Sequence, residues 1–239
     1  MSSNPSGTAV AWGRRAVSVV GVWLVLSAPA IAASAQAVPH ACPGLKAEVL
    51  TRQPATVAEA CAGAADALEF LAWLPRDAEE VIRVELVSAL PSGLRPDAVG
   101  CYARGSRRLM VLERDLFLQR GMWFAIPVSP RLWRAVIAHE VAHAMVGCHL
   151  KDRSLAGAAH EYVAYVAMFA TLDESTRIAA LAAMPGEGFG HDAEINDFRY
   201  AFDPMRFGVD AYRHWLRQPD GRAYLMSIIR GSIVPEMPP

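Results

Sequence analysis

Between residues 56 and 75, Ala, Leu and Phe recur at helical spacing and the run ends at Pro75, which predicts an amphipathic helix. Residues 81–90 (VIRVELVSAL) alternate apolar and polar positions at their start and are rich in Val and Ile, which predicts a strand. The segment PSGLRPD then breaks the chain. Residues 98–114 predict two short strands around an Ala-Arg-Gly-Ser turn, and residues 121–129 add a further extended segment.

From there the pattern turns helical. Ser129-Pro130 has the form of a helix start, a hydroxyl cap followed by a proline whose missing N–H costs nothing in the first turn. The helix is expected over residues 130–146, with Gly147 as its stop. Residues 153–172 predict a second helix, capped by Asp152 or Ser154, and DESTRIAALAAMP a shorter third. Beyond the Gly-rich PGEGFGHD, helices are expected near residues 193–201, 209–217 and 221–230. No internal repeat is visible. The order is an N-terminal helix, a small antiparallel sheet, then helices, which is an α+β fold.

The beginning of the chain reads differently. Arg14 and Arg15 precede an apolar run over residues 16–33, interrupted by Pro29, and Ala35-Gln36-Ala37 then offers a small-x-small cleavage site. That is the layout of a secretory signal peptide over residues 1–37, which leaves residues 38–239 as a single domain. Net charge is −1, from 23 Lys and Arg against 24 Asp and Glu, with no basic block to argue for nucleic acid. No second apolar run reaches membrane-spanning length, so no membrane association is expected once the leader is removed. All four cysteines follow the cleavage site, and an even count in an exported chain points to two disulfides. Of the three pairings, Cys42–Cys61 with Cys101–Cys148 is the expected one, because it closes a local loop and ties a strand region to the end of the long helix.

The chemistry lies in VIAHEVAHAM, residues 136–145. His139 and His143 are one helical turn apart on one face, so both imidazoles can reach one ion. Glu140 lies about 100° round the helix, placed to touch a water on that ion rather than the ion itself. This is the H-E-x-x-H arrangement, in which zinc lowers the pKa of a water and the glutamate takes its proton. The flanks Val136, Ile137, Ala138, Val141, Ala142 and Ala144 are apolar or small, so the helix is expected to be buried. Buried histidines and a buried glutamate are costly without a partner or a metal.

Two histidines need a third ligand, and three candidates follow. His149 stands at the spacing of the H-E-x-x-H-x-x-G-x-x-H metzincin pattern, although that pattern wants glycine at position 146, where this chain has Val146. His160 and Glu161 lie in AAHEYVAYVAMF, which is apolar nearly all round and hence also expected to be buried. These two side chains point about 100° apart, so only one of them should bind a given ion.

HEVAH followed 18 residues after His143 by Glu161 resembles the gluzincin zinc metallopeptidases, over residues 129–172. The resemblance implies a zincin-like domain with Zn2+ on His139, His143 and Glu161, and Glu140 as general base. It also implies a nearby strand edge that pairs with an extended peptide, for which Arg108–Leu112 is the candidate. Tyr165, one turn from Glu161, is a candidate oxyanion donor, with His191 and His214 as further candidates. Asp152 and Asp173 could steady a ligating histidine or cap helices; Trp123, Trp133 and Trp215 read as packing. The function expected is an exported zinc peptidase acting on a peptide or protein, or on another amide such as a cell-wall peptide. The competing expectation is a non-catalytic exported binding domain that keeps the metal as a staple.

Overall fold

The computed structural model describes residues 36–75, 80–150 and 154–233. The leader expected over residues 1–37 therefore falls outside the described residues, except for its last two positions. The first elements are two strands that the hydropathy reading passed over, β1 (Val38–Ala41) and β2 (Ala47–Thr51). They form an antiparallel hairpin, turned at Gly44 with φ +74°. The signal for β2 was present: Ala47, Val49 and Thr51 are buried and their neighbours are not.

A single 3-10 turn at Pro54–Thr56 leads into α1 (Val57–Phe70), which buries Ala60, Cys61, Ala64 and Ala67. The disulfide Cys42–Cys61 pins the β-hairpin to this helix. Then come β3 (Ile82–Val87), β4 (Gly100–Ala103) and β5 (Arg108–Leu112). The sheet order is β1-β2-β3-β5-β4. β2–β3 and β3–β5 are parallel, so the sheet is mixed and not the antiparallel one expected. The reason is that α1 acts as a crossover between β2 and β3, and a helix between adjacent strands returns the chain in the same direction. The expected turn at residues 103–106 does join β4 and β5 as an antiparallel pair.

Beyond the short helix α2 (Arg114–Leu118) and the two-stranded ribbon β6 (Met122–Trp123) and β7 (Ile126–Pro127) comes α3 (Pro130–Leu150). Its start is as expected: the Leu132 N–H donates to Ser129 Oγ at 3.2 Å. Its end is not. Gly147 lies inside the helix, where a Cβ would stand 2.5 Å from the Tyr102 hydroxyl. The glycine permits β4 to approach α3 closely and does not stop the helix.

α4 (Gly157–Thr171) starts four residues later than expected, and Ser154 does not cap it. The N-cap residue, Ala156, has no capping side chain. Asp197, far along the sequence, supplies the acceptor instead: the Ala158 N–H donates to its Oδ1 at 2.6 Å. α4 is the central helix, buried on almost every side, which explains its uniformly apolar sequence. The remaining helices are α5 (Glu174–Ala183), α6 (Asp197–Phe202), α7 (Pro204–Leu216) and α8 (Gly221–Ile229). The α+β class holds.

The second disulfide does not form: Cys101 and Cys148 are both thiols. Strand alternation explains this. Tyr102 shares a row with Leu109 and faces α3, whereas Cys101 shares a row with Met110 and Glu85 on the other face of the sheet. Cys148, on α3, lies on the Tyr102 side.

Candidate metal centre

α3 delivers His139 and His143 on one face, and α4 lies against that face. The two Nε2 atoms stand 3.1 Å apart. The Glu161 carboxylate closes the triangle, with Oε2 at 3.4 Å from His139 Nε2 and Oε1 at 3.6 Å from His143 Nε2. All three donor atoms lie within 4.8 Å of one another, and the group could hold a metal ion. Of the three candidates for a third ligand, Glu161 joins the cluster. His149 sits at the end of α3 with Nδ1 2.9 Å from the Pro75 carbonyl oxygen. His160 stands behind His143, the two Nδ1 atoms 3.3 Å apart. One residue of sequence separates His160 from Glu161, and the helical rotation between them gives them different neighbours.

The donor set fits a cation. Two imidazole nitrogens and a carboxylate face one another in a largely buried site, an arrangement that a positive charge between them stabilises. Without an ion, that charge falls to His143. Burial lowers its pKa, but the charge of Glu161 and the hydrogen bond to it outweigh burial, and the pKa rises. Burial lowers His139. Burial also pushes Glu161 up, but the His143 charge and hydrogen bonds from both histidines hold it well below the ordinary carboxylate range. A divalent cation answers all three donors at once.

Glu140 is 5 % exposed, and its Oε2 has no hydrogen-bond partner among the described residues. Burial raises its pKa to about 8. Gly100, the first residue of β4, makes room for it: a Cβ there would stand 2.5 Å from Glu140 Oε1. Glu140, the three donors, Cys101 and Tyr102 line one cavity of about 290 Å³, together with Arg104, Trp123, Tyr165 and Tyr200. Burial pushes the Cys101 thiol up to about 11, and the Glu140 charge adds to that.

Tyr165 packs its ring edge-on to His139, centroids 4.5 Å apart. Tyr200, from α6, lines the same cavity as Glu161; burial, and after it the Glu161 carboxylate, raise its pKa. Sequence reasoning missed Tyr200 and Gly100, because neither stands at a telling spacing from HEVAH and both arrive through tertiary folding. His191 and His214 do not line the cavity. His214 instead packs against Tyr162, whose hydroxyl is 3.0 Å from its Nδ1. Asp173 caps α5, accepting the Thr176 N–H at 3.1 Å, and Asp152 lies outside the described residues. Trp133 is fully buried and donates to the Leu112 carbonyl at 2.9 Å. Trp215 packs edge-on to Phe70. The strand assigned to substrate pairing is corrected: β5 is interior, between β3 and β4, and β4 is the sheet edge beside the cavity.

The molecule is thus an α+β protein built around a buried two-histidine, one-glutamate donor set. The chain belongs to the Family of unknown function (DUF6639), whose model matches residues 47–238. Comparison with curated proteins and with solved structures finds no match.

Proposed function

We propose that this protein is an exported zinc-dependent peptidase of gluzincin-like type. The observation that carries the reading is the convergence of His139, His143 and Glu161 beside a buried Glu140 at the wall of a cavity. His139, His143 and Glu161 would hold the ion. Zinc in such a site supplies a Lewis acid for the scissile carbonyl and brings a water's pKa toward neutrality. Among the described residues the donor set offers three protein ligands, the number catalytic sites use, where structural zinc sites close with four. This speaks against the metal-stapled binding domain.

The chain's own residues then have distinct tasks. Glu140 takes a proton from the attacking water and returns it to the leaving amine. A neighbouring dication favours its charged form, against the burial that raises its pKa. The Tyr165 hydroxyl donates to the oxyanion that forms on the carbonyl, and Tyr200 steadies Glu161. The free edge of β4 pairs with the backbone of an extended peptide, which brings a scissile bond beside Glu140, whose carboxylate fills the space that Gly100 leaves. The Cys42–Cys61 disulfide accords with an oxidising compartment. No helix among the described residues is long and apolar enough to cross a membrane.

The ligand assignment is tested by metal analysis of the wild type beside Glu161→Ala and His149→Ala. Zinc content should collapse in the first and stay at the wild-type level in the second. Equal zinc in wild type and Glu161→Ala would refute the third ligand.

A further inference from the structure

His143 presents two ring nitrogens to two different neighbours. Its Nε2 faces His139 and Glu161, the side on which a cation would sit. A neutral imidazole that uses Nε2 as a lone pair carries its proton on Nδ1. The ring is 7 % exposed, so that proton needs an acceptor within the protein. The atom in place is His160 Nδ1, 3.3 Å away. An imidazole accepts only through an unprotonated nitrogen, so His160 must hold its own proton on Nε2. That Nε2 is buried and has no hydrogen-bond partner among the described residues. Leaving such a donor unsatisfied destabilises the fold, because its hydration is lost and nothing replaces it. An apolar side chain would avoid this cost at a position that is 3 % exposed. The histidine therefore needs a compensating role, and the short polar contact it makes among the described residues is with His143, one of the metal donors.

We infer that His160 is a positioning residue, which accepts the His143 Nδ1–H and so fixes that imidazole with Nε2 turned toward the ion. The inference rests on the metal reading above, but not on peptide hydrolysis. In other metal sites a carboxylate or backbone carbonyl commonly fills this role; here a second histidine does, supplied by the residue just before the third ligand. One helical segment thus delivers both a ligand and the support for a ligand on the facing helix.

The test is zinc affinity, measured by competition with a chromophoric chelator, in wild type, His160→Leu and His160→Asn. Asn Oδ1 falls near the place of His Nδ1 and can accept the same proton, whereas Leu fills the space and cannot. The expected result is a loss of about 10–100-fold in zinc affinity for His160→Leu, with His160→Asn restoring most of it. Equal affinities in wild type and Leu, or equal losses in Leu and Asn, overturn the assignment. A packing role would favour Leu over Asn, the opposite order. A wild type that binds no zinc overturns the metal reading and this inference with it. Should His160→Leu fail to fold, nitrogen-15 spectra of zinc-loaded wild type decide. They should show His143 protonated at Nδ1 and His160 at Nε2, and a His160 proton on Nδ1 overturns the inference.

Discussion

At the scale of single residues, the site joins groups that have little reason to be buried unless they act together. His139, Glu140, His143 and His160 are each less than a tenth exposed. Tyr165 is the residue whose proposed role is most separable from folding, since Phe keeps the ring against His139. Tyr165→Phe should lower kcat by about 10²–10³-fold, the cost of one oxyanion donor, with zinc content and Tm near wild type. An unchanged kcat would remove Tyr165 from the chemistry. HEVAH was legible in the sequence because helical spacing puts His139 and His143 on one face and the apolar flanks predict burial. Glu161 was favoured over His149 and His160 only by a resemblance, because which of the three meets that face depends on how α3 and α4 pack.

Elements set the distances. Two glycines let β4 lie close to α3, with Gly100 over Glu140 and Gly147 under Tyr102. In the sequence Gly147 had the look of a helix stop, since a glycine that ends a helix and one that admits a neighbouring strand are alike until the neighbour is known. The same limit hid the sheet's order. The period-2 pattern marked β3 and β5, but nothing local says that β5 lies inside the sheet and β4 at its edge. Gly100→Ala puts a methyl group into the space of the Glu140 carboxylate. The expected outcome is at least a ~10-fold fall in turnover, as a displaced general base loses its alignment, with zinc still bound. Wild-type turnover in this variant would show that Glu140 has room to move and that β4 does not constrain it. Asp197 binds another pair of elements. It opens α6, which carries Tyr200, and it caps α4, which carries Glu161.

For the whole molecule, the buried histidines link stability to pH. Burial lowers the pKa of His139, His160 and His214, the second to about 2, whereas His143 and Glu140 are raised and act in the opposite direction until an ion beside them favours their deprotonated forms. A histidine whose pKa is lowered on folding contributes fully above its ordinary value of 6.5 and loses that contribution as pH falls below it, because the unfolded chain takes up the proton first. Metal loss acts in the same direction, as ligands must be deprotonated to bind. The melting temperature of the zinc-loaded protein should therefore fall between pH 7 and pH 5, and a flat profile across that window would contradict the account. The α+β class was readable from the order of elements. The mixed sheet was not, because it follows from α1 crossing between β2 and β3, and β2 was not recognised as a strand.

The central claim is that Glu140 moves the proton in a metal-dependent hydrolysis. Its most direct test is digestion of a peptide library by zinc-loaded wild type and Glu140→Gln, with products read by mass spectrometry and zinc content measured on the same samples. The account predicts cleavage by wild type, a loss of at least ~10²-fold in Glu140→Gln, and equal zinc in both. Zinc-bound wild type that cleaves no peptide, or a Glu140→Gln protein that cleaves as fast as wild type, would contradict it.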